Sequence, residues 1–272
     1  MKLAAALPAV VFVLGACKHG EEVGTISGPP LLIDKGDATA TPIDAGGRDA
    51  EPPLPPVTAE IVDVDAQGFH WDHVACEKRI FAGVSGHVTL LKPATKDAKG
   101  QFFAAVDPGD VVVARGKGGS DVKGPGKIVR AIARGAQCEP DSVGDIKART
   151  SLGRPTKPLI WANGAMKAWL MVERADADFT YVGFLEGTAP VAEHQHDGSW
   201  EILCAIEANG EFTILGQPQR LAGGTCVSVP PGTKHAWKPD PGSNLRAVQF
   251  YSPAGPEQRF RGLAAGDSGA PK

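Results

Sequence analysis

A chain of 272 residues with 42% hydrophobic and 22% charged residues has the composition of a globular protein of one or two domains. Its formal net charge of −3 gives no basic footprint for DNA or RNA, which excludes nucleic-acid binding as the main role. With 34 Gly and 23 Pro against 2 Tyr and 3 Met, the chain favours short strands joined by many turns over a helical bundle.

Met1-Lys2 and the apolar run Leu3 to Leu14 predict a secretory signal over residues 1–16. The run is too short to span a bilayer, which takes about 20 apolar residues. Leu14-Gly15-Ala16-Cys17 then resembles the lipobox of bacterial lipoproteins. That resemblance implies cleavage before Cys17 and lipidation of that residue. With Lys18 rather than Asp next, it also implies a lipid anchor in the cell envelope, in the outer membrane or on its periplasmic face. The other reading is an ordinary signal peptide with a chance cysteine.

Residues 17–56 are rich in Gly, Pro, Ala and Asp and end in Pro52-Pro53 and Pro55-Pro56. Too few apolar residues cluster there to offset the entropy of ordering, so a disordered tether is expected. Export would place Cys76, Cys138, Cys204 and Cys226 in an oxidising compartment, where at least one disulfide is expected. The three possible pairings stay open.

A first domain is expected over residues 57–140, a linker over 141–158, a second domain over 159–263 and a loose tail over 264–272. In the second domain, Met166 to Glu173 and Phe179 to Leu185 read as strands. His194-Gln195-His196 follows, then Glu201, the apolar run Ile202 to Ile206 and a turn at Gly210. On a strand, residues two apart share a face, so His194 and His196 can enter one interior. Further on, Gly224 leads through a strand to Pro230-Pro231-Gly232 and His235. Three imidazoles and a carboxylate suit a divalent transition metal.

These residues resemble the two motifs of the cupin superfamily: H-x-H, Glu and Gly, then Gly, Pro-x-Gly and His. The resemblance covers roughly Leu159 to Arg261, with Pro239 standing where the family often has Asn. It implies an all-β fold of jelly-roll barrels and one divalent ion (Fe, Mn, Zn, Ni or Cu) held by His194, His196, Glu201 and His235. Metal should leave as the imidazoles protonate, below about pH 6.

The first domain reads as a degenerate copy of the second, giving two cupin-type barrels in tandem, a bicupin. Laid without a gap, His70-Trp71-Asp72 falls on His194-Gln195-His196, Glu77 on Glu201 and Gly86 on Gly210. The position opposite His235 then falls near Ser120. Taking Val129, Ala131 and Ala133 as the interior parity of the last strand turns Leu245, Ala247, Gln249 and Tyr251 inward in the second copy. Gln249 and Tyr251 thereby become pocket candidates, and Trp237 a pocket wall. Glu201 is read as ligand or catalytic base. The segment Ser252 to Phe260 should cap the barrel or pack between the domains.

Cupins include enzymes, storage proteins and sensors, so the fold does not select a reaction. The leading expectation is an exported metal-dependent dioxygenase or decarboxylase acting on a small molecule. The other is a surface-tethered module that binds a small ligand or envelope component without turning it over. A homodimer is compatible with either. No cluster of Arg or Lys beside the motif announces an anionic substrate.

Overall fold

A computed structural model describes residues 56–73, 77–92, 101–115, 118–134, 147–152, 157–173 and 180–266. The expectations for the signal, Cys17, the tether up to residue 55, Cys76, Cys138 and the tail beyond Gly266 lie outside the described residues.

The first half folds as β1 (Val57–Val64), β2 (Phe69–His73), β3 (Glu77–Gly86), β4 (Val88–Lys92), β5 (Gln101–Val106), β6 (Val111–Arg115), β7 (Gly118–Lys123) and β8 (Gly126–Arg134). Between the halves come β9 (Lys147–Leu152), β10 (Leu159–Trp161) and β11 (Met166–Val172). The second half continues with β12 (Tyr181–Gly187), β13 (Val191–His194), β14 (Trp200–Glu207), β15 (Asn209–Ile214) and β16 (Gln217–Ala222). It ends with β17 (Thr225–Val229), β18 (His235–Pro239), β19 (Leu245–Ser252) and a short helix, α1 (Arg259–Ala264).

The sheet orders are β1-β8-β3-β6-β9 and β2-β7-β4-β5 in the first half, and β10-β11-β12-β19-β14-β17 and β13-β18-β15-β16 in the second. Removing β9, β10 and β11 leaves the same order twice. Each half is a two-sheet jelly-roll barrel, and the expected tandem repeat holds strand for strand.

Three apolar clusters explain which segments read as unbroken hydrophobic runs. One fills the first barrel, around Phe81, Leu90 and Ile128. Another fills the second, around Leu203, Phe212 and Leu245. The third lies between the barrels, where Ile80, Val129, Phe184, Ile202, Val248 and Phe250 pack face to face. Strands β3, β12, β14 and β19 are therefore buried on both faces over most of their length, while β15 alternates Phe212 and Ile214 inward with exposed Glu211. Full burial of each such Phe or Ile contributes roughly 1.5–3 kcal/mol, so the seam between the barrels is a core in its own right. Cys204 and Cys226, directly paired across β14 and β17 in this seam, form a disulfide.

The backbone register corrects the gap-free alignment of the two copies. Gly109 and Gly224, both left-handed at φ of 90° and 89°, open β6 and β17 in the same way. Their N–H groups donate to Gly83 O (3.0 Å) and Ala205 O (2.8 Å). Counting from these bonds, Arg79 opposite Ala114 takes the place of Glu201 opposite Val229. Ser120 does match His235, as expected, but its strand partner is Trp71, whereas that of His235 is His194. Trp71 is therefore the counterpart of His194, and His70 is turned outward, 44% exposed, onto Asp121.

The parity of the last strand is corrected too. Val129, Ala131 and Ala133 face the seam, as Val248 and Phe250 do. Arg130, opposite Phe81, takes the place of Gln249, opposite Leu203. Gln249 and Tyr251 do point into their own barrel, but the reason is the opposite of the one the repeat suggested.

Candidate metal centre

Two connections that cross between the sheets, β13 to β14 and β17 to β18, bring the donors together. The strand β13 stops at His194, so His196 lies in the loop beyond it rather than on a shared strand face. That loop is held by the turn before β18: Gly232, at φ of 70°, donates its N–H to His196 O at 2.8 Å. A residue with a side chain would be strained in that left-handed conformation. Opposite, His194 faces His235 across β13 and β18. Glu201 enters at the start of β14, between Val229 and Tyr251 on the flanking strands.

Glu201 is buried, and its Oε2 lies 3.0 Å from His196 Nε2 and 2.9 Å from His235 Nε2. Its Oε1 accepts a hydrogen bond of 2.7 Å from Gln249 Nε2. Burial alone would raise the carboxyl pKa, but the hydrogen bonds from His196 and His235 outweigh it and hold the group well below its usual range. His194 is pushed down to about 4 by burial, with the Arg259 charge acting in the same direction. Burial also lowers His196. In His235 the Glu201 carboxylate overcomes burial and the pKa rises.

The donor chemistry fits a divalent metal. His194 Nδ1 donates to Ala192 O and His235 Nδ1 to Thr233 O, both at 2.8 Å. Such outer bonds fix the tautomer and leave Nε2 free to ligate. One donor atom from each of His194, His196, Glu201 and His235 lies within 4.8 Å of all the others. Metal–ligand bonds of about 2.0–2.2 Å allow two donors on one ion to stand no more than roughly 4.4 Å apart. The group therefore needs to contract by only a few tenths of an ångström. It is the one such group among the described residues, and it could hold one metal ion.

His194, Glu201 and His235 border a cavity of about 530 Å3, whose walls include Met166, Leu185, Phe212, Trp237, Leu245 and Phe260. Trp237 forms the expected wall, and its ring sits against Gly210, where a Cβ would stand 2.5 Å from the indole. That contact explains a glycine at the motif position. Gln249 lines the cavity, whereas Tyr251 stands behind the site: its ring is 5.0 Å from His196 and stacks at 5.5 Å on Tyr181. Another cavity of about 520 Å3, bounded by Ile61, Lys127, Ile206 and Asn209 on the seam, shares no lining residue with this one.

Sequence reasoning missed Arg259. The segment after β19 caps the second barrel, with Phe260 stacked on Trp161 at 5.3 Å. The cap delivers Arg259 into the cavity wall, where Nη2 donates to His194 Nε2 at 2.9 Å. No spacing rule announces this residue, because it arrives from a helix beyond the last strand.

Among the described residues, the corresponding place in the first barrel holds no such group. The Arg79 guanidinium is buried, paired with Glu77 at 2.6 Å and lying over the Trp71 ring at 4.8 Å. Arg130 covers the same ring at 5.2 Å. Glu77 also accepts from Arg134 at 3.1 Å. His70, Asp72 and Glu77 therefore do not converge as a cation site.

No family model matches the sequence, and no curated protein matches it. Solved structures do. Vicilin from Solanum lycopersicum superposes with a TM-score of 0.53 at 14% identity, covering 75% of this chain and 76% of vicilin. Oxalate decarboxylase of Bacillus subtilis, a protein with Mn(II) centres, gives 0.50 at 10% identity, covering 73% of this chain and 69% of that one. A putative glyoxylate-induced protein from Pseudomonas aeruginosa gives 0.50 at 12% identity, covering 71% and 73%. At such identities the likeness establishes the fold alone: the chain has the fold of the cupin superfamily.

Proposed function

We propose that the second barrel is a metal-dependent active site for a small molecule, of the dioxygenase or decarboxylase kind. We further propose that the protein is exported and held at the cell envelope by lipid on Cys17. The observation that carries the enzymatic reading is the opening of His194, His235 and Glu201, three of the four donors, onto a largely apolar cavity. Binding sites with a few convergent polar groups in an apolar wall commonly have this form. The Cys204–Cys226 disulfide supports export, since such bonds persist in oxidising compartments.

A divalent ion bound there would supply Lewis-acid or redox chemistry next to the cavity. The chain's own residues do the rest. Gln249 holds Glu201 by its Oε1, which leaves Oε2 for the shared position between His196 and His235. That geometry favours Glu201 as a ligand over a freely swinging base. Phe212, Trp237, Leu245 and Phe260 keep water from a bound molecule. Tyr251 stays protonated, because burial and then the Glu201 charge raise its pKa well above the usual phenol value.

The test is elemental analysis of the purified protein, followed by oxygen uptake and carbon dioxide release over phenolic and carboxylic compounds. One metal per chain with turnover of any compound is the expected result. Full metal loading with ligand-induced thermal shifts but no turnover would replace the enzymatic reading with that of a tethered binding module. Labelled palmitate should enter the wild type and not Cys17→Ser, and label retained by the variant would overturn the anchor.

A further inference from the structure

Three polar side chains on the wall of the metal cavity hold buried atoms without a hydrogen-bond partner: Arg259 Nε, Trp237 Nε1 and Gln249 Oε1. Buried polar groups are nearly always satisfied, so three orphans around one cavity describe what it takes in. Arg259 and Trp237 offer N–H donors. Gln249 has its amide orientation fixed, because Nε2 faces the acceptor-only Glu201 carboxylate, so its Oε1 is an acceptor.

Arg259 makes the strongest demand. Its hydrogen bond goes to His194 Nε2, the atom that His194 would give to a metal. A loaded ion therefore takes the partner away and leaves the guanidinium facing the cavity. Along the cavity lining the charges then do not balance: a divalent ion and Arg259 stand against Glu201, while Glu193 at the rim is paired with Lys234 at 3.2 Å. Uncompensated charge in a largely buried space is costly, and an anion relieves it. The remaining walls are apolar and accept a hydrocarbon body.

We propose that the loaded cavity takes a small carboxylic acid with an apolar body, its carboxylate held by Arg259 and the Trp237 N–H beside the metal. This rests on the metal-site reading above and names its substrate class. A guanidinium fork matches a carboxylate in a way that a point charge does not. The Gln249 carbonyl is left for a hydroxyl or N–H on the same molecule.

The experiment is calorimetric titration of the full mature chain loaded with Zn(II), which is redox-inert. Phenylacetate and 4-methylpentanoate are compared with their own amides, which keep the body and lose the charge. At least one acid should bind about tenfold or more tightly than its amide. In Arg259→Gln acid and amide should bind alike, with zinc content unchanged. Arg259→Lys should keep part of the preference, and thermal unfolding of both variants checks that they fold. The proposal is overturned if neither acid outbinds its amide in the loaded wild type, or if Arg259→Gln keeps the preference. Zinc is measured in the same samples, so a chain that does not load overturns the metal-site reading and is not confused with loss of acid selectivity.

Discussion

The two barrels repeat one topology and differ in sign at one interior position. The second barrel places Glu201 where the first places Arg79, and around them His194 and His235 correspond to Trp71 and Ser120. A buried carboxylate gathers imidazoles and calls for a cation. A buried guanidinium lies on an indole face and brings its own carboxylate, Glu77. Both interiors solve the same problem, a charge removed from water, but the first solves it within the chain. The fold does not carry the site; a few inward-facing side chains do.

The sharpest way to break the comparison is to delete one donor from each barrel. His235→Ala should leave three donors and lower metal affinity by at least about 100-fold, since disturbing even an outer partner costs 10- to 100-fold. His70→Ala should leave metal stoichiometry unchanged, because His70 points out of its barrel onto Asp121. Elemental analysis after dialysis against a weak chelator distinguishes the two. Retention of metal by His235→Ala would show that the donor set is misassigned.

A second difference lies in the seam. Where the second barrel pairs Cys204 with Cys226, the first pairs Ala82 with Val111, both fully buried. Transplanting the first barrel's pair, as Cys204→Ala with Cys226→Val, keeps an apolar seam and removes only the link. The cost should be about 3 kcal/mol, the value for closing a loop of this size. Urea unfolding without reductant measures it, and dithiothreitol should bring the wild type to the same midpoint. A midpoint equal to that of oxidised wild type would mean the bond contributes nothing.

Which parts of this comparison were legible in the sequence follows from the geometry of strands. The second-barrel donors could be found because their spacing is local and their residue types are rare in such a pattern. The first barrel's register was not legible. From Trp71 to Arg79 is one residue more than from His194 to Glu201. A slip of one turns every side chain to the other face. A gap-free alignment therefore brought forward the outward His70 and hid the inward Trp71 and Arg79. Val129, Ala131 and Ala133 looked like barrel interior because Arg130 and Arg134 make the other side of β8 polar, yet Arg130 turns inward over Trp71. Arg259 was hidden for another reason, since tertiary capping and not periodicity puts it at the site.

Removing the charge from the first interior sharpens the comparison. Arg79→Met would fill the space beside Trp71 but leave Glu77 with Arg134 as its cationic partner among the described residues. Breaking a buried pair costs about 3–5 kcal/mol, and the remaining partner should hold the loss to about 2 kcal/mol. Metal content should not change in either barrel. A neutral or stabilising result in urea unfolding would show that the first interior has no need of its built-in cation.

The smallest effect belongs to the histidine that the first barrel turned outward. His70 Nδ1 lies 2.6 Å from Asp121 Oδ1 and its Nε2 lies 3.2 Å from Asp72 Oδ1. The hydrogen bond to Asp121 outweighs a small desolvation effect and raises its pKa above the usual 6.5. A histidine with a raised folded-state pKa adds stability that is fully present below the unfolded value. That stability fades as pH climbs through the folded value. The pair is largely exposed, so screening should hold its contribution to about 0.5 kcal/mol or less. The difference in urea midpoint between wild type and His70→Gln should therefore be present near about pH 5.5 and shrink as pH rises past about 6.5. Taking the difference removes the titration of His194, His196 and His235, which both proteins share. Asp121→Asn should abolish the same pH-dependent part. A difference that stays constant with pH would mean that His70 acts through packing over Gly119, which its ring covers, and not through charge.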